Sequence, residues 1–341
     1  MMFSTALVVL LHVVVGSEAM HAKSSTSPTL SYWHLNLPTT PIPDTLRELI
    51  SPLSSEKTSE LLDAIREGKK VSMAEPDPTP KLGRKGGPDS VASPAWPFYG
   101  TAADDKIIAN PSVSDMFFHE KDLHTGTKLT LYSKLLKRSS PDSRSSPDSR
   151  VFFLPRRLAE AIPFSSDKLS VALEMLDISQ GSDTALAMKQ TLKGCEGPAI
   201  SAESRYCATS LESMIDYTTS TLGTSSLNVL ETNVPCKLKS QKYTITGISF
   251  QSKSGSKAVV CHSETYAYAV YYCHESQHIT TARVSLKGED GSSGEGVAVC
   301  HTDTSGWNPQ HLAFKVLNLK PGGAPVCHFV PNGAVLWLPA H

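Results

Sequence analysis

The sequence predicts an α+β fold whose C-terminal domain is predominantly antiparallel β, contains one clear amphipathic helix and is stapled by disulfides. Three observations predict this class. After residue 240, short apolar runs alternate with clusters of Gly, Ser, Asn and Pro, as in antiparallel sheets. Before them, apolar residues between 211 and 222 repeat at helical spacing. Seven cysteines, four of them each followed by His, supply thiols for cross-links.

The charge balance gives no indication of a polyanionic partner. The chain has 341 residues, with Lys+Arg 32 against Asp+Glu 33 and a formal net charge of -1. Because there is no basic excess, neither nucleic acid nor an anionic membrane surface is an expected partner. A hydrophobic fraction of 40% and a charged fraction of 19% are typical of a globular protein and argue against full disorder.

Residues 1–19 have the pattern of a secretory signal peptide. The apolar run Ala6–Val15 is followed by Ser17 and Ala19, a small-x-small cleavage pattern. A bilayer span needs about 20 apolar residues, so this run is too short to cross a membrane, and no later stretch is long enough either. We therefore expect a secreted chain that begins near Met20 and folds in an oxidising compartment, where disulfides form.

Residues 20–115 are predicted to be an irregular region rich in Pro and Gly. A helix is expected from Asp44 onward, with Asp44 as its cap, and helical character is expected again over Leu61–Ile65. The density of Pro and Gly between Glu75 and Pro94 predicts a linker, since such a composition does not form a packed core.

The segment Pro94–Gly100 (PAWPFYG) is an aromatic cluster isolated among these helix- and strand-breaking residues. It contains Trp96 and Tyr99. Such clusters typically dock onto the neighbouring domain, which is the interpretation that the residues alone favour.

The C-terminal domain is predicted to begin at Met116. Alternating apolar residues predict a strand over Lys128–Tyr132. Residues 139–150 are a tandem duplication of SSPDSR, and two copies of a polar hexamer predict an exposed loop because they are too small to bury surface against each other.

The clearest helix lies between Cys207 and Gly223. Its buried face is predicted to consist of residues at i, i+3, i+4, i+7 and i+11 spacing, namely Leu211, Met214, Ile215, Thr218 and Leu222. Gly223 stands where a left-handed cap would end the helix. We expect Cys207 to open the helix and to form a disulfide with Cys195, and Cys236 to be a free buried thiol or an intermolecular bridge.

Seven short runs then predict strands separated by turn residues. They are Tyr243–Ile245, Ala258–Val260, Tyr268–Tyr272, Ala282–Val284, Val297–Val299, Phe314–Val316 and Val335–Trp337.

Four Cys-His dipeptides carry the chemistry of this region: Cys261-His262, Cys273-His274, Cys300-His301 and Cys327-His328. Neighbouring side chains on an extended strand point to opposite faces, so four thiols can gather on one side of a sheet and four imidazoles on the other. The thiols can close two disulfides, in any of three connectivities once Cys195 and Cys207 are paired.

Imidazole nitrogens are suited to copper or zinc. Four His ligands without thiolate favour Cu(II), whereas a reduced Cys/His set would favour structural zinc. The alternative is that the four histidines are only hydrogen-bonded residues beside two disulfides. No GxSxG, HExxH, Walker or dinucleotide motif is present in the sequence.

The spacing CH-x10-CH-x25-CH-x25-CH resembles the hallmark of the plant BURP domain, and the resemblance covers residues 116–341. Further blocks resemble the family in order: Phe117–Leu123, Phe153–Pro155, Cys195-Glu196, Tyr206–Met214, Trp307–Phe314 and Pro325–Phe329. The region before residue 116, with Tyr32-Trp33 and Leu37–Pro41, is similar to the segment that usually precedes the domain in this family. The SSPDSR duplication and Cys236 depart from the family pattern.

The resemblance implies one of two functional classes. Many BURP proteins are secreted or cell-wall-associated factors in development or stress responses, located in the apoplast or wall, with cell-wall polysaccharide as a candidate partner. Others are copper-dependent peptide cyclases that crosslink Tyr or Trp in their own chain. By resemblance, the copper ligands would be His262, His274, His301 and His328, with His311 nearby, and the candidate core-peptide aromatics would be Trp96 and Tyr99.

The front region favours the first class. Known core peptides often begin with Gln and recur in tandem, whereas residues 20–115 contain no Gln and the SSPDSR repeat has no aromatic residue. The sequence therefore predicts an extracellular factor with a metal-binding Cys-His framework, and the autocatalytic cyclase, acting on its own N-terminal peptide, is the alternative.

Overall fold

A computed structural model describes residues 27–71, 116–132, 151–197, 204–234 and 240–340. The predicted signal peptide, Trp96 and Tyr99, the SSPDSR duplication and Cys236 lie outside these ranges.

The described ranges contain eight α-helices and ten strands. The helices are α1 (Pro28–Asn36), α2 (Asp44–Arg47), α3 (Ser55–Arg66), α4 (Arg156–Ala161), α5 (Leu169–Met175), α6 (Asp183–Glu196), α7 (Leu211–Leu222) and α8 (Leu312–Leu317). The strands are β1 (Phe117–His119), β2 (Lys128–Tyr132), β3 (Arg205–Ala208), β4 (Leu227–Glu231), β5 (Ser240–Phe250), β6 (Ser256–Glu264), β7 (Val270–Gly288), β8 (Ser293–His301), β9 (Val326–Phe329) and β10 (Val335–Pro339). The predicted α+β class, with a mostly antiparallel sheet, is confirmed.

All ten strands belong to one antiparallel sheet with the order β1-β9-β8-β7-β6-β10-β4, and β2, β5 and β3 join it through β7. A bridge between Asn233 and Glu295 links the end of β4 back to β8. The strands from β8 to β4 therefore curl around one apolar interior. Its members come from alternate positions of these strands and the loop before β10: Leu230, Ala258, Val260, Ile279, Val297, Val299, Val330, Ala334, Leu336 and Leu338.

Helix α7 agrees closely with its prediction. Leu211, Met214, Ile215 and Thr218 are buried, and Gly223 has the left-handed φ of 70° that the predicted cap requires. The helix begins at Leu211, because the Ser210 hydroxyl accepts a hydrogen bond from the backbone N–H of Ser213.

Two predictions about local structure in the C-terminal domain are wrong. Cys207 does not open helix α7; it lies in strand β3, and its disulfide joins that strand to the end of helix α6. Residues 314–316 form part of helix α8, not a strand. The run Phe-Lys-Val is too short to show a period, and His311 caps the helix by accepting a hydrogen bond from the N–H of Ala313 through Nδ1.

Residues 27–71 are more ordered than the prediction of an irregular region implied. Helix α1 was not expected, and Pro43, not Asp44, is the N-cap of helix α2. Helix α3 is capped by the Ser54 side chain. Proline-rich segments are usually connections, but here the apolar residues between the prolines are buried against the sheet and helix α7.

Candidate functional site

The four Cys-His dipeptides lie on the four adjacent strands β6, β7, β8 and β9. Cys261 is directly opposite Cys273, and Cys300 is directly opposite Cys327. Directly opposed residues of an antiparallel pair share a face, so each pair of thiols meets. The structure accordingly contains the disulfides Cys261–Cys273 and Cys300–Cys327, together with Cys195–Cys207. The connectivity that the sequence left open is thus the one between neighbouring strands.

The four imidazoles lie on the opposite faces of the same strands. The His262 and His274 rings stack with their centroids 5.5 Å apart and their planes 7° apart. The His301 and His328 rings stack at 5.4 Å, with the two Nε2 atoms 3.3 Å apart. Cross-strand diagonal neighbours are within reach of such rings, which explains each pair. We call these four side chains the imidazole cluster.

The two stacked pairs are close enough to interact electrostatically. Burial lowers the pKa of His262 well below its usual range, and repulsion from His274 and His328 lowers it further. Burial likewise lowers the pKa of His301, with added repulsion from His328, His274 and His311. The pKa of His274 falls to about 4 because of burial. The imidazoles are therefore neutral near pH 7, which is the form that binds metals.

Strand alternation places the imidazole cluster at one end of the apolar interior. His262 follows Val260 on one face of β6, and His301 follows Val299 on one face of β8. His262 is 2% exposed, and His274 and His301 are each 7% exposed. Three polar rings are thus held inside the fold, on strands whose neighbouring residues are packed in the apolar interior.

An aromatic rim surrounds the His301 and His328 side of the cluster. The Trp307 ring lies 4.8 Å from His301 and 4.6 Å from His311, and the Phe117 ring lies 6.0 Å from His311 and 6.3 Å from His328. His328, Trp307 and Phe117 are half-buried, so this side of the cluster faces the solvent. The expectation that His311 lies nearby agrees with this geometry, whereas no role was predicted for Trp307 or Phe117.

Two further residues near the cluster were missed by the sequence analysis. Tyr272 is directly opposite His262, and its ring lies 6.0 Å from that of His274. Glu264 follows His262 by two positions in β6, and burial raises its pKa to about 7. Both could have been found from the sequence, because they stand two residues from a predicted His ligand and strand residues two apart share a face.

The donor chemistry of the cluster fits copper or zinc bound through nitrogen. The four neighbouring thiols are in disulfides, so the thiolate zinc alternative has no ligands here. Within the described ranges, no three His, Cys, Asp or Glu side chains are arranged around one point as a metal site requires. The fold therefore gathers the donors in two pairs but does not show a coordination geometry.

A further observation concerns the helices and their capacity to cross a membrane. In the part of the chain that the structure describes, no helix combines the length and apolar character that a bilayer crossing demands.

These features define a class of protein: a curled antiparallel sheet whose four Cys-His dipeptides form two cross-strand disulfides and a buried imidazole cluster. The BURP domain family model matches residues 116–339, and the chain belongs to this family. It is 42% identical to BURP domain protein RD22 of Arabidopsis thaliana over 71% of this chain and 60% of that protein. It is 42% identical to BURP domain-containing protein 3 of rice, over 69% of this chain and 53% of the relative.

The match to Protein RAFTIN 1B of wheat extends further, at 30% identity over 96% of this chain and 94% of that protein. By contrast, the chain spans less than two thirds of the length of RD22 and of the rice protein. The three disulfides and the family membership fit an extracellular protein.

Proposed function

We propose that this protein is a secreted plant factor of the apoplast or cell wall, active in development or stress response, whose BURP domain binds copper through His262, His274, His301 and His328. The observation that carries the metal proposal is the arrangement of the four imidazoles in two stacked pairs that are close enough to interact electrostatically, with three of the four rings buried. The extracellular proposal is supported by the three disulfides and by the signal-peptide pattern of residues 1–19.

The surroundings of the cluster support a metal centre that is held firmly and reached from one side. Each imidazole follows a cysteine that is cross-linked to the neighbouring strand, so the strand spacing behind each pair is set covalently. His262 and His274 are the inner pair, and His301 and His328 lie toward the half-buried rim. Copper, when bound, supplies one-electron redox chemistry or Lewis acidity.

We expect the purified mature protein to bind copper stoichiometrically and the H262Q/H301Q double variant to lose it, because one donor is removed from each stacked pair. Metal content after dialysis, measured by mass spectrometry, checks this. The matched control is H34Q/H124Q, which removes two exposed imidazoles from the described part of the chain. Equal copper content in the wild type and H262Q/H301Q would reject the copper site.

The alternative function, an autocatalytic cyclase that crosslinks its own Trp96 or Tyr99, is supported by the position of Phe117. Residue 117 is paired with His328 in the sheet, so the chain that precedes it is tethered beside the imidazole cluster. Tyr99 stands 17 residues before Met116. An extended chain of that length reaches about 55 Å, so the tether allows contact. The tether also makes any encounter intramolecular.

If the protein is an autocatalytic cyclase, incubation with Cu(II) and dioxygen is expected to lower the mass of the peptide containing Pro94–Gly100 by about 2 Da. This corresponds to two hydrogen atoms lost to dioxygen as one new bond forms. Peptide mass spectrometry checks this, with W96F and Y99F identifying the ring that reacts. An unshifted mass in protein shown to contain copper favours the non-catalytic extracellular role.

A further inference from the structure

A segment outside the family-matched region is built into the core of the domain. Trp33, Leu37 and Leu46 have no exposed surface, although they precede residue 116 by many positions. The Trp33 ring lies 5.6 Å from that of Trp337, which belongs to the last strand, β10. These residues share one core with the face of α7 and with strands β4, β6, β7 and β10: Leu211, Met214, Ile215, Leu227, Val259, Tyr271, Val335 and Trp337.

Polar contacts fix the position of this segment on helix α7. The Thr29 hydroxyl donates a hydrogen bond to Glu212 Oε1 at 2.9 Å, and both residues are buried. The Tyr32 hydroxyl donates to Asp216 Oδ1 at 2.5 Å, and Arg156 from α4 donates to the other oxygen of Asp216. The N-terminal half of α1 is therefore held by two acidic side chains that lie one helical turn apart on α7.

A second set of contacts attaches the segment to strand β4. The Thr40 hydroxyl donates to the carbonyl of Leu227 at 2.7 Å. The backbone N–H groups of Asp44 and Thr45 donate to the two carboxylate oxygens of Glu231 at 3.0 and 2.9 Å. These two N–H groups belong to the first turn of helix α2, where backbone donors have no acceptor within the helix. The Glu231 carboxylate supplies that acceptor, and its negative charge is favourable at a helix N-terminus.

The second half of the segment packs on the helical side of the domain. Leu61 and Leu62 of α3 share a core with α4, α5 and α6. The N–H of Val71 donates to the carbonyl of Met175 at 2.7 Å, and Leu49 accepts from the N–H of Phe153. Residues 27–71 contain no cysteine, so no disulfide holds them. Their attachment consists of noncovalent contacts and the chain through residues 72–115.

We propose that residues 27–71 form a docked segment that stays bound to the rest of the domain, as a noncovalent subunit, when the chain is cut between Val71 and Met116. The docking surface consists of α7, β4 and the helical side formed by α4, α5 and α6, and its partner is this chain's own segment. The functional unit of this protein therefore begins before the family-matched residues, and proteolysis between the two parts produces a two-chain protein that remains intact.

The test uses the full mature chain with a site-specific protease sequence inserted after Gly87. After complete cleavage under native conditions, the two fragments are expected to co-elute from a size-exclusion column at the position of the uncut protein. They are expected to separate only in denaturant. Elution of the small fragment by itself, or precipitation of the large one after cutting, would overturn the proposal.

Two variants in the same helix give the matched control. W33A, which removes a fully buried ring, is expected to raise the fragment dissociation rate at least tenfold, whereas L35A, at a residue that is 80% exposed, is expected to leave it unchanged. Where W33A does not yield folded protein, E231A serves instead, since it removes only the acceptor of the Asp44 and Thr45 amides. Equal retention of the segment in L35A and in E231A or W33A would contradict docking through these contacts.

Discussion

The C261A/C273A double variant is expected to lose about 3 kcal/mol of unfolding free energy, the chain-entropy contribution of a disulfide that closes a loop of this size. The sequence separation of the two cysteines is 12, and both are fully buried, so the vacated volume adds to the loss. If the domain binds copper as proposed, the same variant is expected to bind it at least tenfold more weakly. The reason is that His262 and His274 each follow one of these cysteines, and the cross-link sets the spacing of their strands.

The C195A/C207A variant is a matched control, because its cysteines are also separated by 12 residues. It is expected to lose the same chain-entropy contribution to the free energy of unfolding, measured by chemical denaturation, with a smaller loss from vacated volume because its cysteines are half-buried, and to retain its copper. This disulfide joins α6 to β3 and contains no Cys-His dipeptide. If both variants lost copper equally, the loss would reflect general destabilisation, and the cross-link would have no specific role at the site.

The W337A variant is expected to lower the free energy of unfolding by about 3–5 kcal/mol, the usual cost of removing a buried indole. Trp337 lies in strand β10 of the sheet, has no exposed surface and packs against Trp33 of the docked segment. The variant is therefore also expected to weaken the binding of residues 27–71 in the cut protein. Chemical denaturation with the disulfides intact measures the first effect.

The W337F variant distinguishes how much stability comes from the volume of the buried indole ring and how much from its N–H group. Within the described residues, the Trp337 Nε1 atom is buried without a hydrogen-bond partner. Substitution by phenylalanine therefore removes side-chain volume but breaks no hydrogen bond. Its loss is expected to be clearly smaller than that of W337A. A loss as large as that of W337A would show that the indole N–H has a partner that the structure does not reveal.

The elements that sequence analysis predicted best are those with a long or distinctive local pattern. Four of the five residues predicted for the buried face of helix α7 are buried, Leu222 is half-buried against the same core, and Gly223 ends the helix as expected. The strand over Lys128–Tyr132 has a clear alternation and the same bounds in the structure. The other three-residue runs predicted as strands, at 243–245, 258–260, 282–284, 297–299 and 335–337, lie in strands of the sheet. The run at residues 314–316 lies in helix α8 instead, because three residues by themselves fit a helix as well as a strand.

The N-terminal segment shows why composition can mislead. Pro38, Pro41 and Pro43 are typical of connections, and nothing local reveals that Trp33 and Leu37, which come just before them, are buried. Their burial depends on α7 and β10, which are more than 170 residues further along the chain. Contacts of that separation leave no trace in the spacing of one segment.

By itself, the sequence determined on which side of a strand each cysteine and each histidine lies, because the period of two is a property of the extended backbone. Only the tertiary structure decided which strands are neighbours. That order selects Cys261–Cys273 and Cys300–Cys327 from the three connectivities, and it places the four imidazoles in two cross-strand stacked pairs. Strand order is set by packing between distant parts of the chain, which no local spacing encodes.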